Sequence, residues 1–234
     1  MIIGNGQIAQ ALTKYSSKGI VFFASGVANS GCVEQSQFNR EKNLLKKSLA
    51  ICDGKFVYFS SCALSAFGYP LNMYYDHKLK MENLVRDIAD SYLIIRLPQV
   101  LGDFKRHPTI FNYFLFSILS GSHFNVCDKA YRYVIDIDDV AHVAHGIASN
   151  YGENQIVDLA NPFRYSVLEI VRALEIGLGV PGNYSLIAKD DAYFIDTTEC
   201  ERLLFDLGID CGFGEVYLYR KIQYRVDRYL ASCM

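Results

Sequence analysis

The 234-residue chain has a formal net charge of −2 and is 51% hydrophobic and 21% charged, which suits a folded globular protein and argues against disorder. Acidic and basic residues are interspersed, so the sequence shows no basic surface for nucleic acid or for an anionic membrane. The seven cysteines are odd in number and form no Cys-x-x-Cys pair, which disfavours structural zinc and disulfides and predicts a reducing cytoplasm.

The first half of the chain alternates short apolar runs with helical patterns, as a parallel sheet with crossover helices requires. Three of the four predicted strands are almost continuously apolar, which predicts burial on both faces of the sheet. The strands are predicted at Met1–Ile3, Ile20–Ser25, Phe56–Ser60 and Tyr92–Arg96, and the helices at Gln7–Tyr15, Glu34–Ile51 and Met73–Ala89.

The second half is more mixed, and no repeat or linker divides the chain. An apolar stripe over residues 111–119 predicts either core or an interface between the subunits of a homodimer, and it is too short to cross a bilayer. The helices are predicted at Pro108–Leu119, Asp139–Ser149 and Ser166–Leu178, and the strands at Tyr133–Ile137 and Gln155–Leu159.

The segment Gly4-Asn5-Gly6-Gln7-Ile8-Ala9 follows the first predicted strand and opens the first helix. Glycines let the backbone turn sharply and approach a pyrophosphate, and the helix N-terminus supplies N–H groups. An ordinary tight turn between a strand and a helix would show the same short pattern. Its position at the first such junction favours a dinucleotide site, with contacts expected at Gly4, Gly6, Gln7 and Ile8.

Tyr74 and Lys78 are spaced i and i+4 and therefore lie on one face of a predicted helix. A lysine ammonium near the phenol lowers the tyrosine pKa from its ordinary value of about 10. Tyr74 would then exchange a proton with a substrate hydroxyl or ketone, and Lys78 would also bind the nicotinamide ribose. Ser60 and Ser61 end the preceding strand and supply the third group of such a site. The alternative is a surface helix with a solvated lysine, since the chain has 17 tyrosines.

In their order, these motifs resemble the extended short-chain dehydrogenase/reductases, the family of nucleotide-sugar epimerases, dehydratases and 4-keto reductases. The likeness covers nearly the whole chain. The motifs that carry it are Gly4-x-Gly6-x-x-Ala9, the run from Val21 to Gly26, Ser60-Ser61, Tyr74-x-x-x-Lys78, Ile95-Arg96-Leu97-Pro98 with Gly102, and the run from Arg132 to Ala141.

The resemblance implies an α/β fold: a Rossmann-like doubly wound parallel sheet, shortened at its N-terminal edge, with a small C-terminal substrate lobe. We expect a single domain over residues 1–234. Residues 1–105 would form the dinucleotide-binding core. Residues 106–234 would form mainly the substrate-binding lobe, interleaved with the last core strands.

The activity implied by the resemblance is that of an NAD(P)-dependent reductase or epimerase acting on a nucleotide-linked keto sugar, in surface-polysaccharide sugar biosynthesis. NAD or NADP would be the cofactor, with further contacts at Ala24 and Pro98. A 4-keto reductase is favoured over an epimerase, because a reductase releases its cofactor at every turnover and tolerates a weaker adenosine site.

Two arginines are expected to bind the diphosphate of the sugar nucleotide, since a guanidinium holds phosphate oxygens in a bidentate fork. For Arg132, a surface salt bridge with Asp128 or Asp136 is the equal alternative. For Arg106, the alternative is a solvated loop. Two histidines, His142 and His145, lie at i and i+3 with no further ligands in view, so no metal site is predicted.

The chain departs from the family pattern in one large respect. Two strands and a helix that the family has before the strand at Ile20–Ser25 are absent, which would leave the strand at Met1–Ile3 on the sheet edge. No Asp or Glu precedes Glu34, so the acid that usually binds the adenosine ribose is also absent. A member that has lost catalysis and serves as a binding or regulatory subunit is therefore the competing hypothesis.

The second departure concerns which residue supplies the catalytic hydroxyl. Ser60, Ser61 and Cys62 each match the family's serine under a different alignment of the strand end, and we favour Ser61. Cys62 together with His107 also resembles a proton-shuttling pair of the GDP-fucose synthase group. A thiol and an imidazole both exchange protons near neutral pH. The alternative is a packed cysteine and a histidine in a solvent-exposed loop.

Overall fold

The computed structural model describes residues 1–15, 17–66, 72–105, 109–152, 154–191 and 193–233. The strands are β1 (Ile2–Ile3), β2 (Ile20–Phe23), β3 (Lys55–Ser61), β4 (Tyr92–Leu97), β5 (Gln99–Leu101), β6 (Phe124–Asp136), β7 (Gln155–Asp158), β8 (Arg164–Ser166) and β9 (Tyr184–Asp191). The α-helices are α1 (Gln7–Leu12), α2 (Gln35–Ala50), α3 (Met73–Ile88), α4 (Ile110–Leu119), α5 (Ile137–Asn150), α6 (Val167–Leu178), α7 (Thr198–Leu207) and α8 (Tyr217–Cys233).

The chain divides into two compact units. The first contains residues 1–98, 137–160 and 194–210, and the second contains residues 99–136, 161–193 and 211–234.

The first unit is built on a parallel sheet with the strand order β1-β2-β3-β4-β7. Strand β2 is buried along its whole length, and β3 and β4 are buried along most of theirs. The Rossmann-like α/β fold expected from the sequence is confirmed, and β1 lies at the edge of the described sheet. This is the position that a shortened N-terminal edge predicts.

Two groups of helices cover this sheet. Helices α2 and α3 pack against each other, and α5 packs against both α1 and α7. An apolar cluster lies under α2 and α3. It forms because apolar side chains recur at helical spacing in these helices and at alternate positions in the strands, which places them on facing surfaces. It comprises Val21, Phe23, Leu45, Leu49, Phe56, Tyr58, Met81, Val85 and Ile94.

The second unit contains a sheet in which β6 is central. Its C-terminal half pairs with β5 in parallel and with β8 in antiparallel orientation, and its N-terminal half pairs with β9. Of the two alternatives for the stripe on α4, core holds for Phe111, Phe114, Leu115 and Ile118, which are buried, whereas Leu119 is exposed. In the core of this unit, Arg225 forms a bidentate ion pair with Asp136.

The structure corrects the element boundaries in the second half. The strand predicted from Tyr133 begins at Phe124, and the helix predicted from Asp139 begins at Ile137. In the ranges given above, no helix is both long and apolar enough to span a membrane.

Candidate active site

The carboxyl ends of the parallel strands bring several predicted site residues to one edge of the first unit's sheet. Gly4 follows β1, Ala24 follows β2, Ser61 ends β3 and Pro98 follows β4. Ligands of open parallel sheets bind outside this edge.

The glycine turn has one position that only glycine can fill and one that faces open space. Gly4 has φ +132°, and a Cβ there would lie 2.3 Å from the carbonyl oxygen of Ala24. Gly6 precedes α1 as its N-cap residue, with no side chain to cap the helix, and a Cβ added there would meet no atom within 4 Å. The turn therefore has the tight backbone and the free space that a pyrophosphate group needs.

The two serines at the end of β3 differ in their environment. Side chains alternate along a strand, so Ser60 shares the face of Tyr58, which packs under α2 and α3, and Ser61 points the other way. Ser61 Oγ accepts a hydrogen bond from the N–H of Ala63 and caps a short 3-10 helix. Ser60 Oγ is buried and has no partner among the described residues. Both hydroxyls therefore keep hydrogen-bonding capacity: Ser61 Oγ accepts one hydrogen bond and can still donate its proton, and Ser60 Oγ has no described partner.

Tyr74 and Lys78 lie in the first two turns of α3, which begins where the Asn72 side chain accepts hydrogen bonds from the N–H groups of Tyr74 and Tyr75. Both side chains are buried. The Lys78 ammonium lies 5.8 Å from the centre of the Tyr74 ring. The predicted pair is thus formed, but in the protein interior rather than on an exposed helix face.

All three N–H donors of Lys78 have partners within the first unit. Nζ donates to Glu41 Oε1 at 3.2 Å, to the Tyr58 hydroxyl at 3.2 Å and to the carbonyl oxygen of Phe59 at 3.4 Å. An ammonium has three protons, so these contacts use its capacity. Binding of a ribose by Lys78 would require one of them to be exchanged.

Glu41 is fully buried and joins three secondary-structure elements. It accepts hydrogen bonds from the N–H of Val27, from Tyr58 on β3, and from Lys78 on α3, and it lies 3.0 Å from His77 Nε2. Burial alone would raise the pKa of Glu41, but Lys78 and these hydrogen bonds outweigh burial and hold it well below its ordinary value. The carboxylate is therefore ionised and opposes the lysine charge.

The pKa of Tyr74 is raised above its ordinary value, opposite to the sequence-based expectation. Burial is the main cause, Lys78 acts in the lowering direction, and Glu41 acts in the raising direction. The expectation failed mainly because Tyr74 is buried, and the Glu41 carboxylate, which the spacing of Tyr74 and Lys78 does not reveal, opposes the lowering effect of Lys78.

Cys62 is buried, and its thiol donates a hydrogen bond to the carbonyl oxygen of Arg96 on β4 at 3.1 Å. Burial, and then the carboxylate of Asp158, raise the pKa of the thiol well above its ordinary value. This environment weighs against proton exchange by Cys62 near neutral pH. Its predicted partner His107 lies outside the described residues, as does Arg106.

Arg132 belongs to the second unit, where it forms an ion pair with Asp191 rather than with Asp128 or Asp136. Asp136 is paired with Arg225, and Asp128 accepts from the N–H of Lys189. The diphosphate contact of Arg132 stays a prediction. In the first unit, His142 and His145 stack on Tyr15, and no group of three or more potential metal ligands occurs in the described ranges.

The residue that sequence reasoning missed is Glu41. It stands at helical spacing within an apolar stripe, three residues after Phe38 and four before Leu45, and all three are buried. A single acid in such a stripe signals a buried charge that needs a partner. The sequence could therefore have shown that Glu41 is paired, although not with which residue.

Solved structures with similar folds include nucleotide-sugar enzymes. UDP-glucose 4-epimerase of Thermus thermophilus, in complex with NAD, aligns with a TM-score of 0.70 and 15% identity over 92% of this chain and 78% of its own. UDP-glucose 4-epimerase of Thermotoga maritima, with UDP-glucose, aligns with a TM-score of 0.70 and 17% identity, also over 92% of this chain and 78% of its own. RMD from Pseudomonas aeruginosa, complexed with NADPH, aligns with a TM-score of 0.73 and 15% identity over 92% of this chain and 82% of its own.

No protein-family model and no curated protein sequence matches the chain. The structural similarity, at these identities, establishes that the chain has the fold of these enzymes.

Proposed function

We propose that this chain is an NAD(P)-dependent reductase or epimerase that acts on a nucleotide-linked keto sugar, with 4-keto reduction as the preferred activity. The observation that carries the proposal is the common location of the glycine turn, Ser60 and the Tyr74–Lys78 pair in one unit of a chain that has the fold of UDP-glucose 4-epimerases. The cofactor is NAD or NADP, as in the complexes of the similar structures.

Each residue has a chemical role in this proposal. Gly4 and Gly6 hold the pyrophosphate, and a bound reduced nicotinamide supplies hydride. Tyr74 donates its phenolic proton to the carbonyl oxygen of the substrate. Ser60 donates a hydrogen bond to the same oxygen, with its lack of a partner in support, and Ser61 is the alternative hydroxyl.

The proposal extends to the class of substrate and to the biosynthetic pathway. Similar structures carry UDP-glucose or UDP-glucuronic acid, and Arg132 offers a guanidinium for a diphosphate if it exchanges Asp191 for phosphate. Surface-polysaccharide sugar synthesis in the cytoplasm is the setting that we propose.

A second candidate is favoured by one observation. Because the three donors of Lys78 are already used by Glu41, Tyr58 and Phe59, the lysine is held as in a structural ion pair. A protein that binds a nucleotide sugar or the cofactor without catalysis, as a regulatory subunit, would preserve this arrangement.

The test is to replace Tyr74 with phenylalanine and to measure the consumption of NADH or NADPH with a 4-keto nucleotide sugar. Loss of the transferable proton should reduce turnover by a factor of about 10²–10⁴ and leave cofactor binding nearly intact. Tyr75→Phe is the matched control, because Tyr75 is the adjacent residue, is equally buried and packs in the same cluster.

The outcome separates the two candidates. Full activity in Tyr74→Phe would contradict the catalytic role of the phenol. Binding of nucleotide sugar or cofactor by the wild-type protein, without any turnover, would instead support the regulatory subunit.

A further inference from the structure

We propose that Glu41 is a positioning residue that neutralises Lys78 and keeps the Tyr74 phenol protonated, so that the site favours carbonyl reduction over alcohol oxidation. This inference rests on the proposed function and concerns a residue outside the Tyr-x-x-x-Lys motif. It is carried by the contacts of Glu41 in the interior of the first unit.

The Glu41 carboxylate is saturated with donors on both oxygens. Oε1 accepts from the Tyr58 hydroxyl at 2.7 Å and from Lys78 Nζ at 3.2 Å, and Oε2 accepts from the N–H of Val27 at 2.7 Å. His77 Nε2 lies 3.0 Å from Oε2 and stacks on Phe38. Such a carboxylate stays ionised, because hydrogen bonds and a cation both favour its charged form.

Pairing with Glu41 changes the effect of Lys78 on the protonation of Tyr74. An unpaired ammonium beside a buried phenol stabilises the phenolate, whereas an ammonium paired with a carboxylate exerts little net field. The lysine donors point to Glu41, Tyr58 and Phe59. Burial and the Glu41 carboxylate both favour the protonated form of the phenol, and Glu41 opposes the effect of Lys78.

Lys78 contacts both the Tyr74 ring and Glu41. Arg40, next to Glu41 on α2, is directed to Ser25. Among the described residues, the ionisable side chains nearby also include Tyr75 and His77 on α3, Tyr58 on β3 and Cys32 before α2, with Glu82 farther along α3 and paired with Arg96.

Reduction and oxidation need opposite forms of the phenol. In reduction, a bound reduced nicotinamide would supply hydride to the carbonyl carbon, and the carbonyl oxygen would take the Tyr74 proton as the C=O π bond breaks. Tyr74 would be left as the phenolate and would regain a proton from solvent. Oxidation of the alcohol runs in reverse and starts from the phenolate. A residue that keeps the proton on Tyr74 therefore favours reduction up to alkaline pH.

The test is a spectroscopic pH titration of tyrosine ionisation without cofactor or substrate. The Tyr74 signal is obtained by subtraction. The titration curve of the Tyr74→Phe protein is subtracted from that of the wild-type protein, and the curve of the Glu41→Gln/Tyr74→Phe protein is subtracted from that of the Glu41→Gln protein. We expect Tyr74 to ionise above the ordinary value of about 10 in the wild-type protein, and about one pH unit or more lower in Glu41→Gln. Glu34→Gln, an exposed acid before α2, should cause no shift.

Two further results keep the inference testable if Glu41→Gln does not fold. Lys78→Met removes the positive charge and leaves the carboxylate, so it should raise the Tyr74 pKa further. A wild-type Tyr74 that ionises at or below its ordinary value, or a folded Glu41→Gln protein with an unchanged Tyr74 pKa, would overturn the inference. Because the titration needs no turnover, its failure is distinguishable from failure of the proposed reductase activity.

Discussion

Lys78 and Glu41 form a buried ion pair whose two charges depend on each other. Both side chains are almost completely inaccessible to solvent. Removal of one member of such a pair leaves an uncompensated charge in a medium of low dielectric, which costs more than the net stabilisation by the intact pair. The pair therefore links the candidate site to the stability of the first unit.

Replacement of Lys78 by methionine tests this link, because methionine keeps the aliphatic volume and removes the charge. We expect the free energy of unfolding to fall by about 3–5 kcal/mol in a denaturant titration. The control is Arg202→Met, since Arg202 forms exposed ion pairs with Glu199 and Asp206. Its loss should cost no more than about 1 kcal/mol. Equal effects of the two substitutions would contradict a buried pair at Lys78.

The sequence predicted the Tyr74–Lys78 pair because its partners are one helical turn apart, a spacing that can be read directly. It did not predict the electrostatics. Glu41 reaches Lys78 from another helix, and no sequence pattern reports which faces of α2 and α3 meet. The raised pKa of Tyr74 follows first from burial, and the charge of Glu41 adds to it against the lowering effect of Lys78.

Two consecutive strand–helix–strand connections in the first unit use helices from different packing groups. Both β1-α1-β2 and β2-α2-β3 join neighbouring parallel strands, but α1 packs against α5 whereas α2 packs against α3.

The glycine turn provides a matched pair of substitutions. Gly6→Ala adds a Cβ in open space at an ordinary backbone conformation, so the free energy of unfolding should change by no more than about 1 kcal/mol. Affinity for NADH or NADPH should fall, because the added methyl group occupies space that the pyrophosphate needs. Fluorescence titration of the bound nicotinamide measures this loss.

Gly4→Ala is the contrasting variant. Its Cβ would collide with the Ala24 carbonyl at a positive φ, so stability should fall by more than about 1 kcal/mol. A Gly6→Ala protein that binds the cofactor as tightly as the wild-type protein would contradict the location of the pyrophosphate.

The strands of the first unit's sheet and the helices α1, α2, α3 and α5 were predicted, whereas α7, α8 and the short or exposed strands of the second unit were not. Strands β5 and β8 have three residues each, and β9 is largely exposed, so none carries a continuous apolar run. These strands exist because they pair with β6, a non-local contact that a local pattern does not contain. Prediction was thus most complete in the unit that carries the glycine turn, Tyr74 and Lys78.

The most direct test of the proposed dinucleotide site is a calorimetric titration of the wild-type protein with NADH and with NADPH. The shortened sheet leaves β1 at its edge, and no acid precedes Glu34 to bind the adenosine ribose. We therefore predict that both cofactors bind, with modest and similar affinities, through the pyrophosphate and the nicotinamide half. Tight binding of one form alone would contradict the open adenosine end, and no binding of either form would contradict the dinucleotide site itself.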